Sequence, residues 1–140
     1  AKQLHDIAIM IKRRSVVVVI SDLLSDVDDI LAGLDHLRFD GHSVAVLHTL
    51  DPYELEFPFQ GAWCFEGLEL EEPITTQADR IREEYPANFN QYIATLRDGC
   101  AGSQADYMTV NTSLPPNEVL SEFFFKCQAM INGASSGARP

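Results

Sequence analysis

The chain has 140 residues and a mass of 15.6 kDa, the size of one domain, and 46% of its residues are hydrophobic. This composition excludes a disordered, collagen-like or multidomain protein. Lys and Arg number 10 against 21 Asp and Glu, so the net charge is −11. Because such a charge repels phosphate backbones and anionic lipid, we expect no nucleic-acid partner.

The cysteines are odd in number and widely spaced, at Cys64, Cys100 and Cys127. Without a Cys-x-x-Cys pair, this pattern predicts reduced, buried thiols and therefore a cytoplasmic protein. The longest apolar runs, residues 7–11 and 16–20, are far shorter than the roughly 20 residues that a membrane helix needs. We therefore expect a soluble protein without membrane insertion.

The first part of the chain predicts a helix followed by a β-α-β unit. Apolar residues at helical spacing indicate a helix over residues 4–14. Residues 15–20 are β-branched and apolar on both alternations, which predicts a central parallel strand with both faces covered. Ser25 then caps a helix over residues 27–37, and residues 43–50 form the second strand.

The middle of the chain is less regular. Residues 53–73 partly alternate aromatic and acidic side chains, which predicts a short antiparallel excursion on the sheet. Thr76 then caps a helix that ends near Gly99 or Gly102. Pro86 lies inside that helical pattern and predicts a kink or a split into two helices.

The last part predicts a third strand over residues 106–112 and a proline-led helix that reaches residue 131. Residues 132–140 have no apolar periodicity, and we expect them to form a flexible tail. The alternation of elements predicts an α/β fold with a three-layer, partial doubly wound, Rossmann-like sheet of three parallel strands plus the antiparallel excursion.

Three segments carry a resemblance to a known family. They are Val17-Val-Val-Ile-Ser-Asp22-Leu before an acidic helix, Gly41-His-x-Val-x-Val-Leu-His48, and Leu50-Asp-Pro-x-Glu-Leu-Glu-Phe-Pro-Phe59. With them the chain resembles the bacterial family numbered 58 among the domains of unknown function, whose C-terminal half is a von Willebrand factor A-like domain. The resemblance implies that residues 1–131 are the C-terminal half of such a domain, and that the sequence is a fragment of a longer protein.

The same resemblance implies a metal site. Von Willebrand factor A-like domains bind a cation with an Asp-x-Ser-x-Ser loop, a Thr and an Asp that ends the fourth strand; Asp22, with Ser21 beside it, matches that last element. Open α/β sheets place ligands at the carboxyl ends of their strands, which supports the position. Because the chain contains no Asp-x-Ser-x-Ser sequence, we expect an incomplete site. In the full-length protein Asp22 would bind Mg²⁺ directly or through a water molecule. We expect this fragment alone to bind no metal.

The acidic residues after the first strand allow a second interpretation. Asp26, Asp28 and Asp29 with Asp22 would form the carboxylate cluster of a metal-assisted hydrolase. We favour the simpler interpretation that Asp26, Asp28 and Asp29 occupy the first turn of a helix, where carboxylates oppose the macrodipole. His48 is interpreted as a core or surface histidine, because no carboxylate or cysteine stands in fixed register with it.

For function, the resemblance implies a non-enzymatic interaction module that works beside MoxR-type AAA+ ATPases and binds a protein partner. The alternatives are the metal-assisted hydrolase and a metal-free structural scaffold. We also expect the edge of the first strand to be open, with an interface formed by Val16, Val17, Val18, Val19 and Ile20. Antiparallel pairing of this strand with its own copy would give a two-fold homodimer.

Overall fold

The computed structural model describes the backbone of residues 2–66 and 73–136, and the side chains of residues 3–66 and 73–127. Its elements, in chain order, are α1 Lys2–Met10, β1 Val16–Ser21, α2 Val27–Phe39, β2 Ser43–Leu50, α3 Pro52–Glu56, β3 Ala62–Phe65, β4 Ile74–Gln77, α4 Ala78–Arg82, α5 Tyr85–Gly102, β5 Asp106–Asn111 and α6 Pro116–Ser136. The predicted α/β fold class is confirmed.

Three parallel strands form the main sheet, in the order β1-β2-β5. The register places Val16 beside Ser43 and Ala45 beside Asp106. One face of the sheet packs against α1, α2 and α5, and the opposite face packs against Phe123 of α6. Helices therefore cover both faces, as the alternation of strands and helices predicts.

The prediction that the first strand is central is wrong within the described residues: β2 is the central strand and β1 lies at an edge. Val17 and Val19 pack on the core cluster beneath the helices. Val16, Val18 and Ile20, on the other face, are 74%, 40% and 64% exposed. A strand whose residues are all apolar has two apolar faces. This pattern does not show whether the strand has a neighbouring strand on one side or on both.

The ends of the first two helices differ from the predictions. α1 ends at Met10, so the cations from Lys12 onward follow it instead of forming its last turn. The Ser15 hydroxyl donates to the Arg13 carbonyl at 2.8 Å, a local bond that competes with helix continuation. α2 is capped by Asp26 and not by Ser25, since the Asp26 carboxylate accepts the first free N–H groups of the helix.

The excursion after β2 forms its own two-stranded antiparallel sheet, β3-β4, and does not join the main sheet. Its register pairs Ala62 with Gln77, and residues 67–72 lie outside the described part of the chain. The predicted cap at Thr76 is wrong, because Thr76 lies within β4. The split at Pro86 is confirmed: α4 ends at Arg82, and Pro86 occupies the first turn of α5, where its missing N–H costs nothing.

Two glycines allow helices to approach each other closely. A Cβ on Gly33 of α2 would lie 2.6 Å from the Leu4 Cβ of α1. A Cβ on Gly99 of α5 would overlap with the end of the Leu31 side chain of α2. Real Cβ atoms do not approach so closely, so the packing of α1, α2 and α5 on one another depends on the absence of these side chains.

The last helix is longer than predicted. α6 continues to Ser136 and includes the first residues of the segment that we expected to be a tail. Residues 137–140 of that segment lie outside the described part of the chain.

Candidate functional site

The predicted metal residues lie in one tight turn at the carboxyl end of β1. Ser21 is the last residue of the strand, and Asp22 follows with an exposed side chain. The Ser21 Oγ accepts the Leu23 N–H at 3.0 Å and lies 3.4 Å from Asp22 Oδ1. The strand end therefore presents the Asp22 carboxylate to the surroundings, while the Ser21 hydroxyl is used within the turn.

Leu23 anchors this turn to the core. Its backbone is left-handed, with φ of 55°, a conformation that costs a side-chain-bearing residue roughly 1–2 kcal/mol. Its side chain is buried in the main core cluster. Its carbonyl accepts the Tyr92 hydroxyl of α5 at 2.5 Å and the Ser25 N–H at 2.7 Å. These contacts hold a conformation that Leu rarely adopts.

A buried histidine supports the same turn from β2. His48 lies beside Ser21 in the parallel register and is 1% exposed. Its Nε2 lies 3.0 Å from the Asp22 carbonyl oxygen, which only accepts, so Nε2 carries the proton and donates it. Its Nδ1 then accepts the Tyr107 hydroxyl of β5 at 2.6 Å. A hydrogen-bonded chain thus crosses the sheet from β5 to the end of β1.

This chain of groups is neutral at physiological pH. Burial lowers the pKa of His48, although the hydrogen bond to the Asp22 backbone and the charges of Glu54 and Asp22 oppose that shift. Burial raises the pKa of Tyr107 to about 12 and also raises the pKa of Tyr92. An uncharged histidine with both ring nitrogens bonded is a structural group, as expected for a core histidine.

The acidic residues of the hydrolase interpretation occupy the start of α2. Asp26 Oδ1 accepts the N–H groups of Asp28 at 3.0 Å and of Asp29 at 3.3 Å. Asp28 and Asp29 are exposed in the first turn of the helix. This arrangement supports the interpretation that we favoured, in which carboxylates cap the helix and face its positive end.

The residues of the turn at Asp22 do not by themselves form a complete Mg²⁺ site. Mg²⁺ requires near-octahedral oxygen ligands, whereas the turn offers the carboxylate of Asp22 and the hydroxyl of Ser21. Among the residues that the structure describes, no three His, Cys, Asp or Glu side chains are grouped to hold a metal ion. Any cation at Asp22 would need further ligands from outside this turn.

An aromatic cluster follows β2 and was not identified from the sequence. Asp51 and Glu54 form a capping box at α3, and Phe57, left-handed with φ of 41°, ends it. Phe57 stacks on Tyr85 with ring centroids 4.4 Å apart. Further ring contacts extend the cluster through Tyr53, Phe59, Trp63, Phe65 and Phe89. The sequence signal for this cluster was the high density of aromatic residues after Asp51. We interpreted these residues as the alternating pattern of a β-strand.

The free cysteines differ in their surroundings. Cys100 is fully buried in α5, and burial raises its pKa to about 11. Cys127 is half-buried, and Cys64 of β3 is exposed. The expectation of buried thiols is therefore wrong for Cys64, because β3 belongs to the small outer sheet and not to the core.

Comparisons with known proteins place the chain in a family. Residues 1–94, more than half of the chain, match the family described as "Protein of unknown function DUF58". No curated protein and no solved structure matches the chain significantly. Within the described residues, no helix is both long enough and apolar enough to cross a bilayer. The chain belongs to the DUF58 family.

Proposed function

We propose that this chain is a non-enzymatic module that binds a protein partner through the turn at Asp22. The observation that carries the proposal is the hydrogen bond from buried His48 to the Asp22 carbonyl. This bond fixes the backbone of the turn from the buried side, while the Asp22 carboxylate remains exposed at the surface. A preorganised surface turn loses little conformational entropy on binding, which favours recognition.

The side chains around the turn combine charge with apolar surface. Leu24 lies two residues after Asp22, and its side chain is 74% exposed. An exposed apolar side chain beside an exposed carboxylate offers a partner both an apolar and a charged contact. With a net charge of −11, the chain suits a partner whose docking surface is basic.

The chemistry of the buried groups supports a binding role over catalysis. Both ring nitrogens of His48 are hydrogen-bonded, so its neutral form has no free lone pair for a general base. The high pKa of Cys100 and of Tyr107 makes neither group a ready nucleophile or proton donor near neutral pH. The Ser21 hydroxyl is already engaged by the Leu23 N–H.

The partner that we propose is a MoxR-type AAA+ ATPase, in a cytoplasmic setting. The resemblance to von Willebrand factor A-like domains supports this class of partner, and three free cysteines agree with a reducing compartment. Mg²⁺ would take part where an Asp-x-Ser-x-Ser loop supplies the remaining ligands. In such a site Asp22 would provide one carboxylate, directly or through a bound water.

The test is binding of this chain to a purified MoxR-type ATPase, immobilised for interferometry with ATP and Mg²⁺. We expect Asp22→Ala to raise the Kd at least tenfold, which corresponds to about 1.4 kcal/mol. The matched control is Asp35→Ala, an exposed aspartate within α2, which should bind as the wild type does. Equal binding by wild type and Asp22→Ala contradicts the proposal, and no binding by the wild type favours a metal-free scaffold.

A further inference from the structure

Two histidines from different helices are joined by a hydrogen bond between their rings. His5 lies in α1 and His36 lies in α2, and both are half-buried. Their Nδ1 atoms lie 2.8 Å apart, and their ring centroids lie 5.0 Å apart. In such a bond one Nδ1 carries a proton and the other offers its lone pair. The bond therefore exists only while at least one of the two Nδ1 atoms is unprotonated.

The two rings lie beside the closest approach of their helices. Gly33 is one turn before His36 in α2, and Leu4 directly precedes His5 in α1. A Cβ on Gly33 would lie 2.6 Å from the Leu4 Cβ, so the helices touch at this level. The rings can therefore separate only by turning away from each other or by moving the helices apart. Either movement removes a contact between α1 and α2.

We propose that this histidine pair is a pH-sensitive switch, which holds α1 on α2 while at most one ring is charged and releases α1 when both rings are charged. Imidazole is the side chain that ordinarily changes its charge between pH 5 and 8, so mild acid is enough to operate the switch. The inference goes beyond the proposed function, because it does not depend on what the turn at Asp22 binds.

The direction of the pH dependence follows from the number of protons that each state can hold. A first added proton gives a charge-assisted hydrogen bond from the charged ring to the neutral one, which favours docking. A second added proton removes the last free lone pair between the rings and brings two like charges together. After release, each ring takes up a proton without opposing the other. The released state therefore binds more protons, and a decrease in pH favours release.

One carboxylate lies close to the pair. Asp40 Oδ2 lies 3.7 Å from His36 Nε2, the ring nitrogen that faces away from His5. This contact favours the first positive charge on His36. Because Asp40 is four residues after His36 in the chain and directly follows α2, the same contact can persist after release. Asp40 therefore does not compensate the repulsion that a second charge on His5 would cause.

The other charged groups around the two helices give the pair no further compensation. The Arg38 guanidinium is bonded to the loop after α2 and to the loop before β5, and β1 contains no titratable side chain. The remaining groups, none of which forms an ion pair with either ring within the described part of the chain, are Asp6 and Asp35 beside the rings, Asp29 at the start of α2, residues 12–14 after α1, Arg97 and Asp98 of α5, and His48 of β2.

The histidine pair is connected to the turn at Asp22 through the core. Leu4 packs on the core cluster that contains the side chain of Leu23, and Leu23 anchors that turn. Ala8 of α1, one turn after His5, is buried in the same cluster. Release of α1 would remove these side chains from the cluster, so the support of the turn would become weaker in mild acid.

The test is hydrogen exchange of the chain at pH 7.5 and pH 5.0, measured by mass spectrometry and corrected for the intrinsic effect of pH on amide exchange. The protection of α1 is divided by that of α5, which removes any loss of global stability in acid. One extra proton in the released state shifts the equilibrium by up to about tenfold per pH unit. We expect the ratio to fall about tenfold between the two pH values. A ratio that does not change overturns the proposal.

Variants at position 5 separate the effect of charge from the effect of packing. His5→Gln can still donate a hydrogen bond to the His36 ring but carries no charge, so its ratio should stay nearly constant between the two pH values. His5→Lys carries a charge at both pH values, so its ratio should still fall when His36 becomes charged. A fall in His5→Gln as large as that in the wild type overturns the proposal.

A variant at position 36 should reverse the pH dependence. In His36→Glu a carboxylate faces His5, and charging of His5 in acid then creates an attraction in place of a repulsion. We expect the protection of α1 relative to α5 to increase from pH 7.5 to pH 5.0 in this variant. A decrease like that of the wild type would mean that α1 is released for another reason, and would overturn the proposal. Circular dichroism at pH 7.5 verifies that every variant is folded.

Discussion

His48 donates a hydrogen bond to the main-chain carbonyl of Asp22, 26 residues earlier in the chain, across 3.0 Å. The contact joins the central strand to the surface turn and leaves the Asp22 side chain unconstrained by the core. The buried His48 therefore holds the turn in its position, whereas the exposed Asp22 side chain provides the chemical group that the turn presents.

We predict that His48→Leu destabilises the protein. It leaves the Asp22 carbonyl and the Tyr107 hydroxyl without a partner, and a buried unsatisfied polar group costs about 1–3 kcal/mol. Denaturation in urea, monitored by circular dichroism, measures the change. Tyr107→Phe is the comparison, because it leaves a single buried acceptor, the His48 Nδ1, unpaired and keeps the bond to the Asp22 carbonyl, so it should cost about 1 kcal/mol. Equal stability of His48→Leu and the wild type would show that the bond does not hold the turn.

Stability should fall in mild acid through His48. The folded pKa lies below the unfolded value of about 6.5, so the unfolded state takes up the proton first as the pH decreases. The free energy of unfolding therefore declines below about pH 6.5, with a slope of at most about 1.4 kcal/mol per pH unit for this one group, until the folded state is also protonated. Urea titrations at several pH values should show a smaller decline in His48→Gln. An identical pH profile in the variant would assign the decline to other groups.

Mg²⁺ binding should depend on ligands other than those that the turn at Asp22 supplies. In calorimetry the chain alone should give no heat of binding with Mg²⁺ or Mn²⁺, because one carboxylate and one hydroxyl do not complete the coordination shell. A DUF58 protein that carries an Asp-x-Ser-x-Ser loop should bind, and should lose binding when the residue equivalent to Asp22 is replaced by Ala. Binding by this chain alone, abolished by Asp28→Ala/Asp29→Ala, would instead revive the acidic turn as a metal site.

Gly33→Ala should loosen α1 from α2. The new methyl group would lie 2.6 Å from the Leu4 Cβ, and overpacking of this kind costs typically about 1–3 kcal/mol. Hydrogen exchange should show faster exchange in α1 before other helices are affected. Gly102→Ala is the matched control, since nothing lies within 4 Å of its added Cβ. If both variants are as stable as the wild type, α1 is not packed as closely as the structure shows.

The cysteines should react in the order of their exposure. Cys64 should react with a thiol reagent within seconds at pH 8, because it is exposed. Cys100 should react only when the protein unfolds, since it is buried and its pKa is about 11. The reaction is followed by absorbance with and without urea, and Cys64→Ser should abolish the fast phase. A fast phase that persists in that variant would place another thiol at the surface.

The strands and most helices could be predicted from local residue patterns. The features that could not be predicted depend on contacts between residues far apart in the chain. The run from Val16 to Ile20 is β-branched, so its strand was clear, yet its place at the edge depends on which strands pair with it. Asp26 and Ser25 are both good caps, and the choice between them depends on the direction in which the chain enters α2. The link from His48 to Asp22 depends on the parallel register of two strands, which no spacing in the sequence reveals.

The edge strand also bears on how the protein behaves when it is not folded. Residues 16–20 form an uncharged, β-branched segment without proline, the type of segment that stacks into cross-β fibrils when it is exposed. The cations before it and the aspartates after it act as gatekeepers against such stacking. Neutralising these flanking charges should therefore promote aggregation of the unfolded chain even where the native structure is unchanged.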